Sequence, residues 1–408
     1  MTGIFWGTKR NLENHANGKL EMVKSKNNVD NLNPLNEAPF GDIVREFETQ
    51  MGQNNRVFLI GAGCSRCAKL PLMSELTESV LNEDMLGDSA KRVLSYLKKQ
   101  YEGGHGTTIE DYMSDITDIM AIVARRQHCG AKNEKISLNE EQHGLEELEN
   151  VLNEIKSVMV KILEPKVDIA THREFVRTVT ALRTGKSGDG RVDYFVLNYD
   201  TLIEDALALE CLDFVDGFAG GAVGWWDASV YGRNNVGARV FKVHGSIDWR
   251  LLEGDPMPRR MRGKILLESI KSEVRERVMI WPAATKYRET QRDPFAQILE
   301  LMRLSLNPKQ SQEVILTICG YRFADMHINV EIDRALRESQ KRLNILIFTE
   351  EDEPVHWLKR WFEDKQVNEQ VRIHAKRGFF HGGKVYKTDQ ELAWWKFENI
   401  VRLLGGEK

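Results

Sequence analysis

The sequence predicts an α/β protein built on a doubly wound parallel sheet, and three observations predict it. Short apolar runs recur at Arg56–Ile60, Tyr194–Leu197, Val240–Val243, Val278–Trp281, Val314–Cys319 and Leu343–Phe348. An unbroken apolar run of that length suits a strand covered on both faces, as in a parallel sheet. Helical patterns at Leu72–Leu81, Leu202–Leu209, Asp293–Leu304 and Ile328–Glu338 fall between several of them, and parallel strands need such crossovers. Several runs also end in glycine or polar residues, where open α/β sheets hold their ligands.

In chain order, residues 11–36 are polar and asparagine-rich, the composition of a loosely ordered arm. A short helix carries Ile43, Val44 and Phe47. Arg56–Ile60 then runs into Gly61-Ala62-Gly63, with a helix expected after the turn. From about 88 to 183 the pattern is mostly helical. One apolar face runs through Ile109, Tyr112, Met113, Ile116 and Val123, and another through Leu145, Leu148, Leu152, Ile155 and Met159. Such faces are core; the polar stretch His128–Gly144 between them reads as a surface loop. Past the central strands, a helix near Val355–Phe362, a strand near Val371–Ala375 and a tryptophan-bearing helix (Trp394, Trp395) complete the chain. The expected division is an arm at 1–36, a nucleotide-binding domain at 37–100 and 190–350, a helical insertion at 101–189, and a C-terminal extension at 351–408 suited to an oligomer or partner interface.

The composition removes several classes of function. A formal net charge of -4 across 408 residues gives no general pull toward nucleic acid or an anionic membrane. The one basic run, Arg259-Arg260-Met261-Arg262-Gly263-Lys264, reads as a solvated loop or protein contact. No apolar stretch reaches the ~18 residues that span a bilayer, and the N-terminus lacks a signal peptide's apolar core, so a cytoplasmic protein is expected. Five scattered cysteines are no disulfide framework. Cys64 and Cys67 form a CxxC without a second pair, which argues against a zinc ribbon.

Four strand ends carry the chemistry. Gly61-Ala62-Gly63-Cys64-Ser65 is a glycine turn that lets backbone approach a diphosphate, or simply a tight turn; Arg66 stands where a dehydrogenase fingerprint wants glycine or alanine. Leu197-Asn198-Tyr199-Asp200-Thr201 offers a helix cap and a turn former, or a polar site. Val243-His244-Gly245-Ser246 puts an imidazole, which titrates where a general base is useful, beside a glycine that leaves room for a ligand. Cys319-Gly320-Tyr321-Arg322-Phe323-Ala324-Asp325 breaks another strand at glycine before a helix. One such end is ordinary; four in one sheet converge on a site.

Taken in order, GAGCS, LNYDTLIE, KVHGSIDW and CGYRFADMHIN resemble the sirtuin-like domain, particularly its bacterial antiviral-defence branch. The resemblance implies a Rossmann-type NAD site with a smaller helical module. Gly61, Ala62, Gly63 and Ser65 then match the phosphate-contacting turn, Asn198 and Asp200 the nicotinamide-ribose pocket, His244 the base, and Gly320 with Tyr321 a later NAD-contacting turn. Tyr199 and Gly245 join the residues contacting NAD. The zinc-bearing deacylases carry two CxxC pairs and a Gln-Asn-x-Asp motif; this chain has a single CxxC, and Leu197 in place of the glutamine, which speaks against protein deacylation. The resemblance implies instead an NAD+ glycohydrolase that depletes NAD in antiviral defence, as a homo-oligomer with a possible HerA-type ATPase partner. NAD is the substrate and no metal is expected, since nicotinamide leaves as a neutral molecule. An NAD or ADP-ribose sensor that controls assembly is the alternative, and a deacylase the third reading. Cys64 reads as a small buried residue of the turn rather than a nucleophile.

Overall fold

The computed structural model describes residues 32–52, 55–102, 106–132, 134–138, 140–164, 167–182, 191–262, 274–279, 293–308 and 312–405. Residues 1–31 of the expected arm lie outside the described residues, and Asn33–Asn36 form a single 3-10 turn with Leu35 buried. Helix α1 (Phe40–Met51) buries Ile43, Val44, Phe47 and Met51 along one face. Strand β1 (Arg56–Ile60) follows, then α2 (Met73–Leu81), α3 (Asp88–Gln100), α4 (Ile109–His128), the hairpin β2 (Ile136–Leu138) and β3 (Glu141–His143), α5 (Leu145–Leu163) and α6 (Ala170–Ala181). The central part holds β4 (Val192–Val196), α7 (Leu202–Leu209), β5 (Phe214–Val215), β6 (Phe218–Gly220), β7 (Val223–Trp226), β8 (Ala238–Lys242), β9 (Gly245–Leu252), β10 (Arg259–Met261) and β11 (Val274–Met279). It closes with α8 (Phe295–Leu306), β12 (Val314–Cys319), α9 (Met326–Glu338), β13 (Leu343–Thr349), α10 (His356–Glu363), β14 (Val371–Ala375), β15 (Gly378–His381), β16 (Lys384–Lys387) and α11 (Phe397–Leu404).

Among the described residues the main sheet has nine strands in the order β16-β15-β14-β13-β12-β1-β4-β8-β5. The run from β14 to β5 is parallel, and β15 and β16 add an antiparallel edge. Side chains alternate between its two buried faces, as the pleat requires. Val57, Leu59, Leu316 and Ile318 share a cluster with Ile298 of α8, Ile332 of α9 and Trp361 of α10. Phe58, Ile60, Ile315 and Cys319 share the opposite one with Phe47 of α1, Phe175 of α6, Leu207 of α7 and Ile400 of α11. Each such side chain contributes about 1.5–3 kcal/mol when fully buried, so both faces together specify the doubly wound fold. From β1 the chain builds β4 and β8 on one side before crossing to β12 on the other. The topological switch point therefore lies between β1 and β12, where ligands of open α/β sheets bind.

Three features differ from the sequence reading. Val278 belongs to β11 in a separate antiparallel sheet, ordered β11-β9-β10-β7-β6, while Trp281 lies outside the described residues. An apolar run reports burial and not its pairing partner. Here Gly245 (φ +79°) turns the chain off the main sheet, and a Cβ on it would lie 2.2 Å from the Val278 carbonyl oxygen. The stretch 128–144 holds the β2–β3 hairpin, anchored by the buried His143 beside Glu147 at 3.1 Å. The first part of the basic run is β10 and its flank, with its arginines paired internally: Arg259 with Asp255 at 2.7 Å, Arg260 with Asp216, and Arg262 with Asp205 and Asp248, both at 2.9 Å, while Gly263 and Lys264 lie outside the described residues.

Helices α2 to α5 form their own apolar cluster, which reaches Tyr199, Ile247 and Met279 beside the strand ends. Beyond residue 351, β14, β15 and β16 extend the main sheet, and Phe397 of α11 packs on Phe175 of α6 at 4.9 Å between ring centroids. Trp394 is core, 1% exposed, its indole N–H donating to the Ala375 carbonyl at 2.7 Å.

Candidate active site

Strand register assembles the site. Ile60 pairs with Val196 and Cys319, and Val196 with Lys242. The ladders run one residue further: Leu197 N–H donates to Ile60 O at 2.9 Å, Val243 N–H to Val196 O at 3.0 Å, and Gly61 N–H to Cys319 O at 2.9 Å. Asn198 and His244, each two residues past a paired position, thus leave the sheet at the same level on neighbouring strands.

One side of the site is a hydrogen-bonded cluster around Ser65. Its hydroxyl donates to Asp200 Oδ2 at 2.6 Å and accepts from Asn198 Nδ2 at 2.7 Å, which also donates to Gly61 O at 3.1 Å. With the Ser65 proton committed to Asp200, both neighbours of that amide can only accept, so they dictate its orientation. The Asn198 Oδ1 is consequently turned away and buried, in a residue only 9% exposed, and has no partner among the described residues. Asp200 Oδ1 accepts from the Leu202 N–H at 3.1 Å, at the start of α7. Beneath it the fully buried Lys242 donates to the Asp200 carbonyl and lies 3.8 Å from Glu204. Burial pushes the Glu204 carboxyl up to about 7, against the pull of Lys242 and Arg262.

On the other side His244 Nε2 lies 3.0 Å from Asp325 Oδ2. Asp325 caps α9, its Oδ1 accepting from the His327 N–H at 3.0 Å. The Tyr321 hydroxyl lies 3.0 Å from both the Asp325 carbonyl and Asn329 Oδ1, and accepts from the Asp325 N–H at 3.2 Å. Burial, then the nearby Asp325 charge, pushes the Tyr321 phenol well above its ordinary range. Tyr199 points toward the helical module, its hydroxyl donating to Glu110 Oε1 of α4 at 3.0 Å, while its carbonyl accepts from the Ile247 N–H at 2.9 Å. Burial pushes its phenol upward too.

The two glycine turns meet across the switch point. A Cβ on Gly61 would lie 2.4 Å from Gly320 O, one on Gly63 2.8 Å from Gly320 Cα, and one on Gly320 2.5 Å from Cys64 N. The close backbone approach these glycines allow is therefore to one another. Gly63 N–H donates to Gly320 O and Cys64 N–H to Gly61 O, both at 3.0 Å, while Ala62 stays exposed. A 3-10 helix, Ala62–Ala68, separates the turn from the helix read at Leu72–Leu81, which runs from Met73 to Leu81 as α2. Pro71 explains the interruption, since a proline disfavours helix in the residue before it. Cys64 is wholly buried, and desolvation, then its neighbour Cys319, drives its thiol well above the ordinary value, the opposite of an activated nucleophile.

The structure thus joins Ser65, Asn198 and Asp200 directly, brings His244 level with them, and interlocks Gly61, Gly63 and Gly320 beside them. Tyr199 and the Tyr321 hydroxyl have their hydrogen bonds inside the protein. Sequence reasoning missed Lys242, Glu110 and the part of Asp325 that faces His244. An aspartate before a helix signals a cap, and nothing in the pattern reveals its second oxygen. Among the described residues no group of three or more histidine, cysteine, aspartate or glutamate side chains is poised for a metal, and no helix is long and apolar enough to cross a membrane.

Residues 193–369 match the family model described as the SIR2-like domain. The match supports a sirtuin-like domain and suggests NAD-related activity; it takes in Asn198, Asp200, His244, Gly320 and Tyr321 and starts after the first glycine turn. No curated protein matches the chain.

Proposed function

We propose that the protein is an NAD+ glycohydrolase, releasing nicotinamide and ADP-ribose, and that it serves as the effector of an antiviral defence system by depleting NAD+. The observation that carries the chemistry is the Asn198 amide oxygen. Leaving a buried polar atom unpaired costs about 1–3 kcal/mol, and Asn198 Oδ1 is such an atom at the ligand-binding edge of the sheet. A ribose hydroxyl or the attacking water satisfies it.

Cleavage of the ribose–nicotinamide bond builds positive charge on the ribose ring as nicotinamide departs with the bonding pair. Asn198 Oδ1 accepts from the attacking water or a ribose hydroxyl and fixes its approach. His244 takes the proton released, a contribution typically of ~10²–10⁴-fold. Asp200 already accepts one hydrogen bond at each oxygen, so its part is its negative charge beside the developing cation. The defence role, homo-oligomer and HerA-type ATPase partner rest on the motif resemblance.

The test measures nicotinamide release by the purified protein, alone, with an acylated peptide and with a HerA-type ATPase. Wild type should consume NAD+ without peptide, and Asn198→Ala and His244→Ala should each lower the rate ~10²–10⁴-fold. Tight NAD binding without release in any assembly state would instead favour the sensor reading, and strict dependence on the peptide the deacylase.

A further inference from the structure

We infer that Asp325 is a positioning residue for His244, holding the imidazole as its Nε2–H tautomer so that Nδ1 is the nitrogen that takes the proton. This rests on the reading of His244 as the base and names the residue through which that base is set.

A carboxylate can only accept, so the 3.0 Å contact between Asp325 Oδ2 and His244 Nε2 requires the ring proton on Nε2. In a neutral imidazole the lone pair is then on Nδ1. The contact is locked from three directions. Asp325 Oδ1 is engaged by the His327 N–H at 3.0 Å, one of the donors that a helix start leaves unpaired. The Tyr321 hydroxyl holds the main chain of Asp325 at both its N–H and its carbonyl. Asn329, 0% exposed, donates to Phe323 O at 2.7 Å, closing the loop between them. Phe323 itself has φ +57°, a left-handed conformation that costs a bulky residue free energy and persists where its surroundings impose it.

The same geometry makes Asp325→Asn a discriminating variant. The cap needs an acceptor for the His327 N–H, so an asparagine shows that donor its oxygen and turns its NH2 toward His244 Nε2. An NH2 group can only donate, so the ring must move its proton to Nδ1 and lose the base there. Fold and cap survive while the tautomer inverts.

The experiment combines nicotinamide release with 15N NMR of the histidine-labelled full-length protein, the His244 signals being identified by their loss in His244→Ala. Wild type should show His244 protonated on Nε2, and Asp325→Asn on Nδ1. The variant should lose ~10²–10⁴-fold in rate, with a melting temperature within ~2 °C of wild type because the cap is kept. Added to His244→Ala, it should cost nothing more, because it acts through that ring. A wild-type ring protonated on Nδ1, a rate within ~3-fold of wild type, or a further loss in the His244→Ala background overturns the inference. If wild type releases no nicotinamide, the hydrolase reading fails while the NMR still decides the tautomer.

Discussion

The two sides of the site are held in place by different means. Ser65, Asn198 and Asp200 bond to one another and to strand-end backbone, so the register of β1 and β4 positions them. His244 depends on a carboxylate from the far side of the switch point, at the end of a loop with Phe323 in a left-handed conformation. Chemistry tied to register shares its fate with the sheet. Chemistry tied to a clasped loop can be removed while the sheet stands. Substitutions on the first side should therefore lower stability and activity together, and those on the second mainly activity.

The sharpest way to break the contrast is to strike the joint that both sides share. Gly320→Ala places a Cβ 2.5 Å from Cys64 N at a residue with φ +64°, adding overpacking of about 1–3 kcal/mol to left-handed strain of about 1–2 kcal/mol. Denaturant unfolding should show a loss of about 3 kcal/mol and both sides disabled. Gly221→Ala, with nothing within 4 Å of its Cβ, should stay within about 0.5 kcal/mol. A smaller effect is expected from Asn198→Asp, which sets an acceptor against Gly61 O and Ser65 Oγ. It should cost about 1–3 kcal/mol of stability along with the activity; activity loss at unchanged stability would erase the contrast with Asp325→Asn.

An effect of similar size, visible only as a pH dependence, lies beneath Asp200. Glu204 keeps its proton up to about 7 in the fold, against an ordinary 4.5, because burial disfavours its charged form. Between those values the folded chain holds a proton that the unfolded chain has lost. The stability Glu204 contributes is therefore full below about 4.5 and is lost as pH rises through about 7. Glu204→Gln cannot titrate, so its stability should fall less between pH 5 and pH 8 than wild type's, by roughly 1–3 kcal/mol in thermal or denaturant unfolding. An unchanged pH profile would mean that Lys242, at 3.8 Å, keeps the carboxylate charged throughout.

Sequence gave up the parallel sheet because its strands are covered on both faces, and runs such as Val314–Cys319 state that burial without ambiguity. It concealed the antiparallel sheet because β6, β7 and β10 span only three or four residues each, and Val223–Trp226 alternates exposed and buried positions across glycine and two tryptophans. Asn198, Asp200 and His244 were legible as polar groups at strand ends. The reason for the glycines was not: Gly61 and Gly320 are 259 positions apart in the chain, and only folding shows each excluding a side chain from the other. The burial of Trp394 was not legible, because an aromatic in the sequence carries no mark of whether it faces the core or solvent.

Those interlocked turns have a consequence for recognition. In the proposed NAD site, a surface made where three glycines touch is main chain, with no rotamers to freeze and few torsions free to relax when a ligand settles on it. The entropic toll that mobile loops usually levy on an incoming molecule is already settled during folding. Such a surface gives up adaptability in exchange: it discriminates by rigid shape, and a molecule one group too bulky finds nothing there that can step aside.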